Sequence, residues 1–302
     1  MKILVTGATG FIGKRLVSHL LKQGHTIHFL STSKRKLATQ KNNVRGYYWN
    51  IATGEIDVSA FDAVDIIIHL AGANIAGSWS KLGKQAIIDS RVQSSKLLYN
   101  TLKRIKHNVS QVICSSAIGI YANTDEVQSE DQFTLATNFL GEVVQQWEKA
   151  NTQLSELGIG VTLLRIGLVL DSQEGALPKM AMPIRWGMGS VLGSGKQVYS
   201  WVHIDDLVGL FYYLMINRKE GIYNAVAPEA VSNRVFTMTL GQVLHRPIFL
   251  PTIPGWLIRL GLGEKSCLVL EGQRVSSHKV ESEGYQFIYS NLVDALEDIY
   301  SQ

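Results

Sequence analysis

A chain of 302 residues that is 46% apolar and 18% charged is too hydrophobic to stay disordered. It is long enough for one large α/β unit, or for a nucleotide domain with a smaller partner domain. A net charge of +4 makes no general case for nucleic acid, and runs such as "VDIIIHLAGANIAG" and "LVGLFYYLMI" are too short to span a bilayer. Cys114 and Cys267 sit far apart in apolar settings and read as buried free thiols of a reducing compartment, and no Cys/His cluster has metal-ligand spacing. The expectation is a soluble, cytoplasmic, metal-free protein, monomer or homodimer, without nucleic-acid or membrane partners.

Strands and helices alternate from the start. "KILVTG" is a buried strand, "IGKRLVSHLLKQG" has helical periodicity ending at Gly24, and "HTIHFLS" is a second strand. "VDIIIHLAG" is an apolar β-branched strand stopped by Gly72, "KQAIIDSRVQSSKLLYNTLKRI" a long amphipathic helix, and "QVICSS" the next strand. "FLGEVVQQWEKANTQLSELG" is a further helix and "GVTLLRIGLVL" a further strand. This β-α alternation predicts an α/β fold: a doubly wound parallel sheet covered on both faces. After about Leu170 the texture becomes Gly-rich and irregular, as in loops over a cleft, and most prolines fall in "RPIFLPTIPGWLIRLGLG".

Charge is unevenly placed. No Asp or Glu precedes Glu55, whereas Lys2, Lys14, Arg15, Lys22, Lys34, Arg35, Lys36, Lys41 and Arg45 all do. A basic, acid-free segment is suited to an anion. An organelle transit peptide has the same composition, but "ILVTGATGFIG" reads as a strand and turn that a fold needs.

Gly7, Gly10 and Gly13 stand at three-residue spacing between that strand and the first helix. One glycine permits the tight turn, another lets backbone approach a pyrophosphate, and the third lets helix and strand pack closely; the helix N-terminus offers its N–H groups to the anion. Gly7, Thr9, Gly10, Phe11, Ile12 and Gly13 are therefore the candidate dinucleotide cradle. An NAD-preferring site places a carboxylate about twenty residues on, at the end of the second strand. Here that place reads Ser31, Thr32, Ser33, Lys34 and Arg35, two cations and several hydroxyls that suit a 2′-phosphate. NADP(H) is the expected cofactor, with a solvated basic loop as the alternative. His69, Leu70, Ala71 and Gly72 end the fourth strand, where a doubly wound sheet meets its ligand.

The stretches "TGATGFIG", "HLAGANIAG", "DSRVQSSKLL", "CSSAIGIYA", "LLRIGLVL", "GSGKQVYSWVHIDDL" and "GIYNAVAPEAVSN" resemble the atypical extended short-chain dehydrogenase/reductases of the epimerase-like type, within the NAD-dependent epimerase/dehydratase superfamily. The tail "LHRPIFLPTIP…LEGQRVSSHKVESEGYQFIYSNLVDALEDI" is similar to their C-terminal extension. The resemblance covers nearly the whole chain. It implies a Rossmann domain over residues 1–170 that binds NADP(H), with 200–216 packing back on it. A smaller mixed α/β domain over 171–302 would cover a substrate cleft. It also implies cofactor contacts by Lys84 and Arg91, for which a solvated helix face is the alternative.

In active members of that superfamily a Ser or Thr orients the substrate oxygen, and a Tyr-x-x-x-Lys on the next helix accepts the proton. The i, i+4 spacing puts phenol and ammonium on one face, where the cation lowers the phenol pKa. Ser116 matches the serine, with Ser115 the alternative register. The helix departs from the pattern: Phe139 stands at the tyrosine position and Val143 at the lysine position, and neither carries a proton. The real Tyr-x-x-x-Lys, Tyr99 to Lys103, lies on the preceding helix and is read as a chance match. Tyr121 is a weak substitute for the phenol. Arg165 is read as an anion binder or a partner to a carboxylate. His203 with Asp205 and Asp206 reads as helix capping or, less favourably, as a catalytic pair, and Trp147, Trp186, Trp201 and Trp256 as core or cleft walls. Two functions stay open: an oxidoreductase or epimerase acting on a carbonyl or hydroxyl substrate, one class being nucleotide-linked, or a non-catalytic NADPH-binding regulatory protein. Loss of a positioned general acid costs about 10²–10⁴-fold, so slow turnover is compatible with the first.

Overall fold

The computed structural model describes residues 1–37 and 43–301; Lys41, counted above in the basic segment, lies outside them. In chain order the elements are β1 (Lys2–Thr6), α1 (Phe11–Lys22), β2 (Thr26–Ser31), α2 (Lys34–Leu37), β3 (Val44–Asn50), β4 (Glu55–Ile56), β5 (Ile66–His69), α3 (Lys81–Leu102), β6 (Gln111–Ala117), β7 (Thr124–Gln128) and α4 (Phe139–Thr152). There follow β8 (Gly160–Ile166), β9 (Leu168–Leu170), α5 (Leu177–Arg185), β10 (Val198–Tyr199), β11 (Trp201–His203), α6 (Ile204–Ile216), β12 (Gly221–Ala225), β13 (Val231–Ser232), α7 (Asn233–Val243) and α8 (Gly255–Leu262). The last elements are α9 (Cys267–Leu270), β14 (Gln273–Val275), α10 (His278–Ser282) and α11 (Leu292–Tyr300).

Two compact units emerge from the packing: Met1–Ser116 with Glu142–Leu164 and Val208–Ile222, and Ala117–Gly141 with Arg165–Leu207 and Tyr223–Gln302. The first is built on an eight-stranded sheet in the order β12-β8-β6-β5-β1-β2-β3-β4. β1 pairs parallel with both β2 and β5, β2 with β3 and β5 with β6, while β4 is antiparallel on β3. The continuous apolar runs of β1 and β5 fit a sheet buried on both faces: Ile3, Leu4, Val5, Ile66, Ile67 and Ile68 are all fully buried. One face packs Leu4, Ile67, Val112 and Cys114 against Leu97, Leu98 and Leu102 of α3 and against Leu154. This is the doubly wound α/β sheet expected from the β-α alternation.

The second unit gathers three short pairs, β10 with β13 antiparallel, β9 with β11 and β7 with β14 parallel. Its core joins Trp201, Leu170 and Val231 to Ala181 of α5, Phe236 of α7 and Leu296 of α11.

The structure corrects several element readings. "GVTLLRIGLVL" is two strands, broken at Gly167, because a Cβ there would lie 2.4 Å from the carbonyl oxygen of Ser200. β9 then leaves for a partner of its own, β11. β3 was not anticipated: its buried side is only Tyr47 and Trp49, with Gly46 and Arg45 interrupting the alternation. The helix "FLGEVVQQWEKANTQLSELG" is α4 followed by a 3-10 turn over Gln153–Leu157, ending at Gly158 with φ 73°. Of the four tryptophans read as walls, Trp147 and Trp201 are buried, but Trp186 and Trp256 are exposed. Both cysteines are free, Cys114 buried but Cys267 only half-buried. No helix among the described residues is long and apolar enough to cross a membrane, and no cluster there could hold a metal ion.

Candidate functional site

The candidate site forms in the first unit at the carboxyl ends of β1, β2, β5 and β6. After Thr6 the chain turns at Gly7, whose φ of 69° is the left-handed region that favours glycine. The Gly10 N–H donates to the Gly7 carbonyl over 2.9 Å. A Cβ on Gly13 would stand 2.1 Å from the Gly7 oxygen, and one on Gly7 would stand 3.0 Å from the backbone of Leu70. All three elements therefore meet backbone to backbone. α1 starts at Gly10 with no side-chain cap and no acidic residue in its first turn. Its first intrahelical bond runs from Lys14 N–H to the Gly10 carbonyl, so the preceding N–H groups of Phe11, Ile12 and Gly13 have no intrahelical acceptor and lie at the positive end of the helix dipole. Thr9 lies half-buried within the turn. These residues fit a pyrophosphate, the group the glycine spacing implies.

His69 closes the turn from beneath. Its imidazole is fully buried, with Nδ1 at 2.7 Å from Thr6 Oγ1 and Nε2 at 3.2 Å from Ser95 Oγ. Thr6 Oγ1 in turn accepts from the Leu70 and Ala71 N–H groups, both at 3.1 Å. Burial pulls the imidazole down to about 4, so it is neutral at pH 7. Among the expected cofactor contacts His69 is thus corrected: its side chain faces the interior and sets the Leu70–Gly72 turn, leaving only that turn on the rim.

At the end of β2, the Ser33 N–H donates to Ser31 Oγ over 3.1 Å. Thr32, Lys34 and Arg35 are exposed, and Lys34 Nζ lies 4.9 Å from the centroid of Tyr48. Lys84 stands over Trp79 at 5.9 Å. Arg91 reaches back to Gly72, where a Cβ would lie 3.2 Å from its Cζ.

Ser116 and Ser115 diverge. Ser115 Oγ donates to the His69 carbonyl over 3.1 Å, tying β6 to β5, and Ser116 Oγ donates to Glu148 Oε1 over 2.5 Å. Both serines and Glu148 are buried. A hydroxyl has one proton to give, so in this state Ser116 offers a substrate only lone pairs. Sequence reasoning missed Glu148 and Thr6. Glu148 was detectable as an acid lying on the buried arc of α4 between Trp147 and Ala150; Thr6 carries no comparable local mark. Val143, at the lysine position, is buried. The rejected Tyr99 hydroxyl donates to Glu156 at 2.8 Å, and Lys103 lies over its ring.

The second unit holds the other candidates. Tyr121 is fully buried, donates to Asn224 Oδ1 over 2.6 Å and accepts from Arg165 Nη1 over 2.9 Å. Burial pushes the phenol up to about 12, the adjacent Arg165 opposing. A phenol so enclosed and so weakly acidic is no substitute for the missing tyrosine. Arg165 is buried across the rings of Tyr121 and Phe133. His203 Nδ1 accepts from the Asp205 N–H, the capping role, and the carboxylate facing its Nε2 is that of Asp298, at 3.5 Å. Asp206 accepts instead from the N–H groups of Ile288 and Tyr289.

Comparison with known proteins agrees with this architecture. Residues 3–225 match the NAD dependent epimerase/dehydratase family, and residues 253–299 match a domain of unknown function, DUF1731. The epimerase family proteins SSP1921 of Staphylococcus saprophyticus and YfhF of Bacillus subtilis are 35% and 33% identical to this chain, each covering at least 98% of it and 98% of their own length. Human epimerase family protein SDR39U1, solved with NADPH, superposes with a TM-score of 0.87 at 28% identity, covering 100% of this chain and 99% of its own. UDP-glucuronic acid 4-epimerase from Bacillus cereus shares the fold, with a TM-score of 0.80 at 18% identity over 100% of this chain and 98% of its own. The fold and the glycine turn define a Rossmann-type NAD(P)-binding protein. The chain belongs to the NAD dependent epimerase/dehydratase family.

Proposed function

We propose that the chain binds NADP(H) at the Gly7–Gly13 turn and acts on a carbonyl or hydroxyl substrate, as an oxidoreductase or epimerase. The observation that carries the reading is the start of α1 at Gly10, without a side-chain cap from that residue, held against Leu70–Gly72 through Gly7. Gly10, the N-cap, brings no side-chain cap bond, and a Cβ at Gly7 or Gly13 would meet backbone. The choice of NADP(H) rests on Ser31, Thr32, Ser33, Lys34 and Arg35, which bring hydroxyls and two exposed cations to the end of β2 and no carboxylate. The human relative solved with NADPH supports the same choice.

Held at the Gly7–Gly13 turn, the cofactor would supply hydride transfer to or from a carbonyl or carbinol carbon. The chain's own part is to hold the pyrophosphate on the α1 N–H groups, to hold the 2′-phosphate with Lys34 and Arg35, and to orient a substrate hydroxyl by accepting its hydrogen bond at Ser116 Oγ. Phe139 and Val143 neither donate nor accept a proton. A second reading, an NADPH-binding regulator without turnover, is favoured by that substitution alone. The test is a titration of purified protein with NADPH, followed by nicotinamide absorbance against a panel of carbonyl substrates. Binding with oxidation supports the enzyme, binding without oxidation across the panel supports the regulator, and no binding to any pyridine nucleotide overturns both.

A further inference from the structure

We infer that the second unit docks on an anionic lipid surface through α8 and two stretches beside it, 186–190 and 248–253. A short helix in a folded chain is normally held by burying one face. α8 is not held that way: in its sequence, GWLIRLGL, five of the eight residues are large and apolar, yet none is buried. Trp256 is 66% exposed and Leu260 78%. The apolar surface continues beyond the helix, because 188–193 runs beside 248–253. Ser190 Oγ donates to the Pro251 carbonyl over 2.5 Å, and the Ile253 N–H donates to the Val191 carbonyl over 2.9 Å. The Gly193 N–H donates in turn to the Ile253 carbonyl, also over 2.9 Å, and a Cβ on Gly189 would stand 2.5 Å from Ile248 Cδ1. On these adjoining stretches Trp186, Met188 and Phe249 are exposed, at 68%, 53% and 71%. Single exposed apolar residues are ordinary; two tryptophans, a phenylalanine, a methionine and a leucine on adjoining segments mark an interaction surface.

Charge says what covers it. The two lengths of chain that build this face, 175–204 and 230–263, contain no Asp or Glu. They carry Lys179, Arg185, Lys196, Arg234, Arg246 and Arg259, all exposed. Arg185 lies over the ring of Tyr300, and among the described residues no carboxylate pairs with any of the six. A second copy of the chain would set six such cations against six more. The complement is instead a surface that is anionic outside and apolar beneath, which is phospholipid headgroups over acyl chains. Indole rings settle at headgroup depth, and arginine lays its stem along apolar surface with its charge at the phosphates. At about 12 Å long, α8 is far too short to cross a bilayer and lies in the interface plane. The expectation of no membrane partner came from the length of the apolar runs, and length bears on spanning a bilayer, not on resting against one. α8 falls within the 253–299 match to the domain of unknown function, so the inference gives that part of the chain a role. It does not rest on the cofactor reading.

The test is flotation of the full chain with two vesicle populations, phosphatidylcholine alone and phosphatidylcholine with about one-third phosphatidylglycerol. The expected result is binding to the anionic vesicles about tenfold or more tighter than to the neutral ones, weakening as salt is raised. Trp256→Ser with Leu260→Ser removes apolar contact and is expected to weaken anionic-vesicle binding about tenfold or more. Arg246→Gln with Arg259→Gln removes two charges, each contributing about fivefold, and is expected to weaken binding by about tenfold or more and to flatten the salt dependence. All four side chains are exposed, and if the apolar variant does not fold, the charge variant carries the test. A wild type that floats with neither population, or equally with both, overturns the inference. So do variants that bind anionic vesicles as tightly as the wild type, since the contact then lies elsewhere. A wild type that self-associates through Trp256 and Leu260 without floating makes the face a contact between copies, and overturns it as well.

Discussion

Ser116 Oγ donates a 2.5 Å hydrogen bond to Glu148 Oε1, with both residues buried in the first unit. The serine that the family pattern assigns to the substrate is thus already committed to an acid on α4. Removing the hydroxyl leaves a buried carboxylate oxygen without this donor, which costs about 1–3 kcal/mol. Ser116→Ala is therefore expected to lower the urea midpoint accordingly while leaving NADPH affinity within about twofold. Ser116→Thr, which keeps the donor, is expected to recover most of the stability. A Ser116→Ala variant as stable as the wild type would show that the bond contributes nothing.

The glycine turn makes a second prediction, with its own control. At Gly13 a Cβ meets the Gly7 oxygen at 2.1 Å, a backbone atom that cannot move aside without shifting α1 or the turn. Gly13→Ala is expected to lose about 1–3 kcal/mol by overpacking and to weaken NADPH binding severely. At Gly24 φ is +79° but nothing lies within 4 Å of a Cβ. Gly24→Ala therefore incurs only the left-handed strain, about 1–2 kcal/mol, and keeps its nucleotide affinity. Denaturation and NADPH titration of both variants separate the two effects, and equal loss of binding in both would contradict the proposed cradle.

How much of this could be read in advance follows the range of each interaction. The Gly7–Gly13 turn and the strands β1, β2 and β5 were legible because a strand, three glycines and an amphipathic helix lie within one short window. Gly167 was legible in principle, a glycine dividing two apolar runs, but its reason is the Ser200 carbonyl, far along the chain. His69 was placed correctly at the end of β5, yet its side chain is consumed by Thr6, 63 residues away. Tyr121 offers a phenol in a chain whose α4 lacks the family's tyrosine. Its fate is set by Asn224, 103 residues on, and by Arg165. The partnership of Arg91 with Trp147 crosses two helices and left no mark in the spacing of either.

Cofactor choice is tested at the end of β2. Lys34 and Arg35 are exposed, so each contact to a 2′-phosphate is partly screened by water and salt. Together they are expected to contribute about tenfold or more in affinity. The double variant Lys34→Ala with Arg35→Ala should weaken NADPH by that factor and leave NADH within about twofold. Raising the salt concentration should weaken NADPH in the wild type more than in the variant. Equal losses for NADPH and NADH would show that the cations do not read the 2′-phosphate.

The buried imidazole of His69 gives the fold a pH dependence whose sign is fixed. Its folded pKa, about 4 against an ordinary 6.5, is depressed by burial, so between those values the unfolded chain binds the extra proton. Stability is fully present above pH 6.5 and is lost as pH falls toward 4. At pH 4.5 the loss due to this one group comes to about 2.5 kcal/mol. His69→Asn cannot take up the proton. It is expected to be less stable at pH 7.5, where the Thr6 and Ser95 bonds are disturbed, but to lose about 2–3 kcal/mol less than the wild type on going to pH 4.5. Urea midpoints at pH 7.5, 5.5 and 4.5 read the difference directly, and because other titrating groups are common to both proteins, they cancel in it. Parallel stability curves for the two proteins would mean that His69 takes up its proton without unfolding the Thr6 junction, and the turn that faces Gly7 would then owe its position to something other than a neutral imidazole.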